Sequence, residues 1–227
     1  MTTLENIATL NDIFLNYTLN WPVLDEDTCA FGGQIGRKTE ALALAQAHQD
    51  FDAVVQGQYW EDGSAWTFGK SGGCSVGCLT HATNAHGDFV PLYGIPVSVA
   101  KLSDDIFESL IREESKSFPV RFISAIPVGA DLTGVYTKLR LYILERWFKK
   151  NPEKGKVYEL VAKNIPGWND DTTIDWKAYN SSGDDEGVHS FIVDLIYRPV
   201  SANYDVPGDY VNLSGPFLKF ISECVPA

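Results

Sequence analysis

Basic residues are in short supply. The chain carries 18 Lys and Arg against 30 Asp and Glu, a formal net charge of −12. No basic run exceeds two residues, as in Lys149-Lys150. Nucleic-acid binding draws on Lys and Arg that displace counterions from phosphates, and attraction to anionic lipid needs the same charges. Neither partner fits this balance. Long apolar runs are also missing: none approaches the roughly 18 to 20 residues that span a bilayer. Met1-Thr2-Thr3-Leu4-Glu5-Asn6 has no basic start and no continuous apolar core, so no targeting segment is read there. A soluble, cytoplasmic protein is the expectation. Cysteine is sparse, at 29, 74, 78 and 224, and cytosolic thiols are reduced. Cys29 and Cys224 would meet only if the ends of the chain converge.

What is present suits a folded domain. At 227 residues and 44% hydrophobic content, the chain can bury a core without disulfides. A single globular domain over 1–227 is expected. The six Trp, ten Tyr and 12 Phe read first as large core anchors and second as a surface for a partner.

Apolar spacing predicts helices over 4–19, 38–48, 74–82, 95–111, 118–126, 132–147, 157–165 and 210–225. Asp131 can cap the helix that follows it. Residues 83–94 read as loop, and 166–187 as a flexible acidic loop without the alternating acids of a calcium site. Val188–Tyr197 favours strand by propensity, with a buried helix as the other reading. The fold class is mainly α, a compact multi-helix domain. The alternative is α+β, with a small sheet from 52–60 and 188–198.

Five segments carry a resemblance. They are Val55-Gln56-Gly57 with Tyr59-Trp60, Gly73 to His81 (GCSVGCLTH), Gly94-Ile95-Pro96, Lys101 to Leu110 (KLSDDIFESL) and Arg121 to Leu132 (RFISAIPVGADL). In this order, over roughly residues 50 to 145, the chain resembles a family of bacterial and phage hypothetical proteins. The resemblance implies a helical centre and assigns no activity. This chain departs from the family pattern at Pro91-Leu92-Tyr93-Gly94, in the enlarged loop 61–72, and in its C-terminal third.

The densest chemistry is Gly73-Cys74-Ser75-Val76-Gly77-Cys78-Leu79-Thr80-His81. On a helix, Cys74, Cys78 and His81 stand at i, i+4 and i+7, on one face. The plain reading is two small cysteines packed in a core. A second reading is zinc held by Cys74, Cys78, His81 and His86, donors whose types suit that ion. A third is a thiol nucleophile at Cys74, after two glycines at a helix start, with His81 or His189 as base and Gln56 or Gln58 as oxyanion donor. Gly69-Lys70-Ser71 imitates the end of a phosphate loop, but Ser64 stands where the earlier glycine belongs. His48, after an Ala/Leu run, reads as a partly exposed helix-end histidine.

No complete catalytic set emerges. The leading expectation is a non-enzymatic binding module for a protein or small-molecule partner, which predicts an exposed aromatic patch. The rivals are a cysteine-dependent enzyme and a small structural zinc site.

Overall fold

A computed structural model of the protein describes residues 21–57, 73–80, 85–152, 155–167, 191–195 and 212–226, with Thr9, 12–14 and Asn16. The described elements are α1 (Ile35–Asp50), α2 (Ser75–Thr80), α3 (Phe89–Tyr93), α4 (Val97–Ser109), α5 (Arg112–Ala125), α6 (Val135–Lys150), α7 (Gly155–Asn164) and α8 (Ser214–Ser222). Short 3-10 turns cover Ala30–Gly33, His86–Asp88 and Ile165–Gly167. The fold is mainly helical, as expected. Among the described residues there is no strand. Val54 instead makes an isolated parallel bridge with Gly73. No described helix is long and apolar enough to cross a membrane.

The chain divides into two compact units, Met1–Thr133 with Ser214–Ala227, and Gly134–Leu213. The first is organised around α5, which packs against α1, α2, α4 and α8. Glu113 and Glu114 occupy the first turn of α5, where the helix dipole favours acids. Its start therefore lies earlier than apolar spacing indicates, and Pro119 falls inside the helix rather than near its beginning. Phe118, Phe122 and Ile123 are fully buried. That burial offsets the hydrogen bond Pro119 cannot donate.

Aromatic rings run through this core in sequence. Phe31 meets Tyr93, Tyr93 meets Phe89, and Phe89 meets Phe122, with centroids 6.3, 5.6 and 6.4 Å apart. Phe122 also stacks on Phe118 at 6.2 Å and on Phe217 of α8 at 5.9 Å. Such pairs add to simple area burial. Phe89 and Tyr93 explain why 89–93 is helical where a loop is expected: both are fully buried, and one turn aims them together. The turn ends at Gly94, with φ 63°, and a Cβ there would lie 2.5 Å from the Cys29 carbonyl oxygen.

On α1, Ala41, Leu44, Ala45 and His48 form the buried stripe. His48 is fully buried, with Nδ1 2.9 Å from the Leu44 carbonyl, which corrects the exposed helix-end reading. It stands four residues after Leu44 and so shares the inward face. The ends of the first unit do converge: Ala130 bridges to Pro226, and the Ala30 N–H donates to the Ala130 carbonyl. Cys29 and Cys224 are nonetheless not joined to each other.

In the second unit α6 packs against α7. Leu139, Ile143, Leu144 and Trp147 form the buried stripe of α6. The residues from 191 to 195 are helical, which corrects the strand preference. Phe191, Ile192 and Leu195 are buried. Their i, i+1, i+4 spacing puts all three on one helical side, and Phe191 stacks on Trp147 at 4.6 Å. Burial on a shared face outweighs the weak β-preference of branched side chains.

Candidate functional site

The Gly73–Thr80 segment is placed by hydrogen bonds, beginning before its helix. The Gly73 N–H donates to the Ala53 carbonyl at 2.8 Å, and the Val55 N–H donates to the Gly73 carbonyl at 2.9 Å. A Cβ on Gly73 would lie 3.4 Å from the Gly77 and Cys78 backbone, at the near edge of ordinary contact. Cys74 follows at the N-cap, outside α2, and its carbonyl accepts the Cys78 N–H at 3.0 Å. The nearby Val76 and Gly77 N–H groups favour the charged form of its sulfur. At the other end, the Tyr93 hydroxyl donates to the Leu79 carbonyl.

The two thiols face different surroundings. Cys78 Sγ donates to the Gly73 carbonyl at 3.2 Å and approaches the Ala53 carbonyl at 3.5 Å. Burial, then the neighbouring Cys74, pushes its pKa up. Cys74 Sγ instead belongs with two carboxylates. Donor atoms of Cys74, Asp104 and Glu108 all lie within 4.8 Å of one another. Burial first, then the charge of Asp104, then that of Glu108, pushes the Cys74 pKa up to about 12, against the opposing pull of the Gly77 and Val76 N–H groups. The resting group is a thiol.

Asp104 and Glu108 are one turn apart on α4. Acidic residues flanking an apolar stripe read as its outer face, but Asp104 is only 4% exposed. Its Oδ2 lies 3.2 Å from His86 Nε2. Its Oδ1 is buried and has no hydrogen-bond partner. Ser75 Oγ, on the residue after Cys74, is likewise buried without a partner. Glu108 is half-buried and accepts the Gly57 N–H on Oε2 at 2.8 Å. Gln56 completes the latch: its side-chain amide donates to the Phe107, Glu108 and Leu110 carbonyls at 2.8, 3.3 and 2.8 Å. It caps the end of α4, which removes it as an oxyanion donor. The stretch 53–57 thus ties the backbone of Gly73, the residue before Cys74, on one side to Glu108 on the other.

Of the residues singled out from sequence, the fold brings Cys74 to Asp104 and Glu108, and His86 to Asp104. It does not bring Cys78 into that group. His81, His189 and Gln58 lie outside the described residues, as does the Gly69-Lys70-Ser71 stretch. Asp104 and Glu108 escaped the sequence reading. The available signal was Ala100-x3-Asp104-x3-Glu108, a helical row that begins on a small residue. The exposed aromatic patch is not found among the described residues, where the exposed large apolar side chains are Val23, Ile35, Ile111 and Val225. No protein-family model, curated protein or solved structure matches the chain.

Proposed function

We propose that the chain is a non-enzymatic module that binds a small ligand at the buried Cys74–Asp104–Glu108 centre. The observation that carries this reading is the convergence of a thiol and two carboxylates within 4.8 Å, with Cys74 fully shielded from solvent. Buried polar groups are held together at a cost unless something satisfies them, and a ligand supplies that satisfaction. The same facts weigh against the thiol-nucleophile alternative. A cysteine nucleophile is an exposed or partly exposed thiolate beside a cationic or imidazole partner; Cys74 is inaccessible, and the charges that act on it are the carboxylates of Asp104 and Glu108.

Alkylation of the native full-length chain at neutral pH, with site-resolved mass analysis, tests the reading. Cys29, half-buried and free, should label well before Cys74. If Cys74 labels first, and Cys74→Ser removes the fastest phase, the module reading falls and the cysteine-enzyme reading takes its place.

A further inference from the structure

We infer that the ligand of this centre is a divalent first-row transition ion of the zinc class, held by Cys74 Sγ and by carboxylate oxygens of Asp104 and Glu108, with His86 as the residue that positions Asp104. The inference rests on the module reading above and names its ligand.

Four observations point the same way. The donor atoms lie within 4.8 Å of one another, so a contraction of about 1 Å brings them to the spacing of ligands around an ion bound at roughly 2.0–2.3 Å. The donor set includes a soft sulfur, which suits zinc-class ions and disfavours calcium and magnesium. Asp104 Oδ1 is a buried acceptor without a donor, on a residue 96% withdrawn from solvent by its 4% exposure. Hydrogen-bonded protein groups do not account for that oxygen; a cation does. Finally, His86 Nε2 on Asp104 Oδ2 is the arrangement in which an outer partner orients a ligating group.

Binding exchanges a proton for the ion at sulfur. The Cys74 S–H bond breaks, its proton leaves to solvent, and the sulfur lone pair forms the bond to the ion. Asp104 and Glu108 each supply an oxygen lone pair. Nothing is oxidised or reduced. With Cys74 ionised, the three groups would repel one another strongly at low dielectric, whereas a divalent ion leaves the centre near one net negative charge. Cys78 takes no part, since its thiol is already directed to the Gly73 and Ala53 carbonyls. The donor set is therefore drawn from the residue before α2 and from α4 rather than from a single run of cysteines and histidines.

The test uses the full-length chain, stripped with a chelator and titrated with cobalt(II) under nitrogen. The expected result is one equivalent bound, a sulfur-to-cobalt charge-transfer band in the near ultraviolet, and displacement by zinc. Cys74→Ser should abolish the band. Asp104→Asn and Glu108→Gln should each weaken binding at least tenfold, and Cys78→Ala should leave band and stoichiometry in place. Circular dichroism establishes that each variant is folded; Glu108→Gln, at the half-buried position, serves if Asp104→Asn is not. The inference is overturned if the wild type binds no cobalt or zinc, if Cys74→Ser retains a full equivalent with the band, or if Cys78→Ala loses binding while Asp104→Asn keeps it. Wild type that binds no metal while Cys74 remains slow to alkylate removes the ion and leaves the module reading standing. Fast labelling of Cys74 removes the module reading itself.

Discussion

Single residues decide how tightly the site is framed, and Gly94 is the sharpest case. It sits at φ 63°, and any Cβ would meet the Cys29 carbonyl at 2.5 Å. Gly94→Ala therefore combines a strained left-handed backbone with a backbone clash. It should lower unfolding free energy by at least about 2 kcal/mol, read as a lower midpoint in urea. Asp131 is a second residue-scale device. Its Oδ1 accepts the Thr133 N–H at 2.9 Å and the Thr133 hydroxyl at 2.7 Å. It closes a side-chain turn on Thr133 rather than capping α6, whose N-cap is Gly134. Those bonds hold its carboxyl below the usual carboxylate range. A group with a depressed folded pKa stabilises above its unfolded value, about 3.9, and loses that contribution as pH falls through the folded value. Asp131→Ala should therefore be less stable than wild type near pH 6, and the difference should shrink in the most acid range. Paired melts across pH would show a constant gap if the charge plays no part.

At the scale of elements, the site depends on how helix ends are satisfied. The last carbonyls of a helix have no partner within it. In α4, the Phe107, Glu108 and Leu110 carbonyls receive the Gln56 amide. In α5, the Ser124 and Ile126 carbonyls receive Lys38 Nζ from α1 at 2.9 and 2.6 Å. Gln56→Ala should cost about 1–2 kcal/mol by leaving carbonyls unmet. Gln56→Glu should cost more, because a carboxylate faces acceptors and offers no donor. Chemical denaturation of the two variants side by side gives the order; an equal or reversed order would show that the amide is not the capping group. None of this was legible along the chain. A glutamine between Val55 and Gly57 gives no sign that a helix end fifty residues later will need it. The Ala41–Ala45 row of α1 and the Val99–Phe107 row of α4 were legible, because helical spacing of apolar residues is a local property.

For the molecule as a whole, the strongest commitment is the aromatic core of the first unit. Phe122 touches the rings of Phe89, Phe118 and Phe217 and is fully buried. Phe122→Ala should destabilise by about 3–5 kcal/mol, seen as an early urea transition. A cost under about 1 kcal/mol would mean that the core collapses around the gap. Composition and periodicity alone determined the mainly helical class and the presence of a sizeable core, because each depends on residue type and local spacing. Only tertiary structure decided which described rings meet in the core of the first unit, that 191–195 turns as helix, that His48 is buried, and that Cys74 joins Asp104 and Glu108. Those outcomes depend on which distant backbone groups meet. A thiol's neighbours across a helix packing are fixed by hydrogen bonds such as Gly73 with Ala53 and Gln56 with Leu110, whose partners lie far apart along the chain.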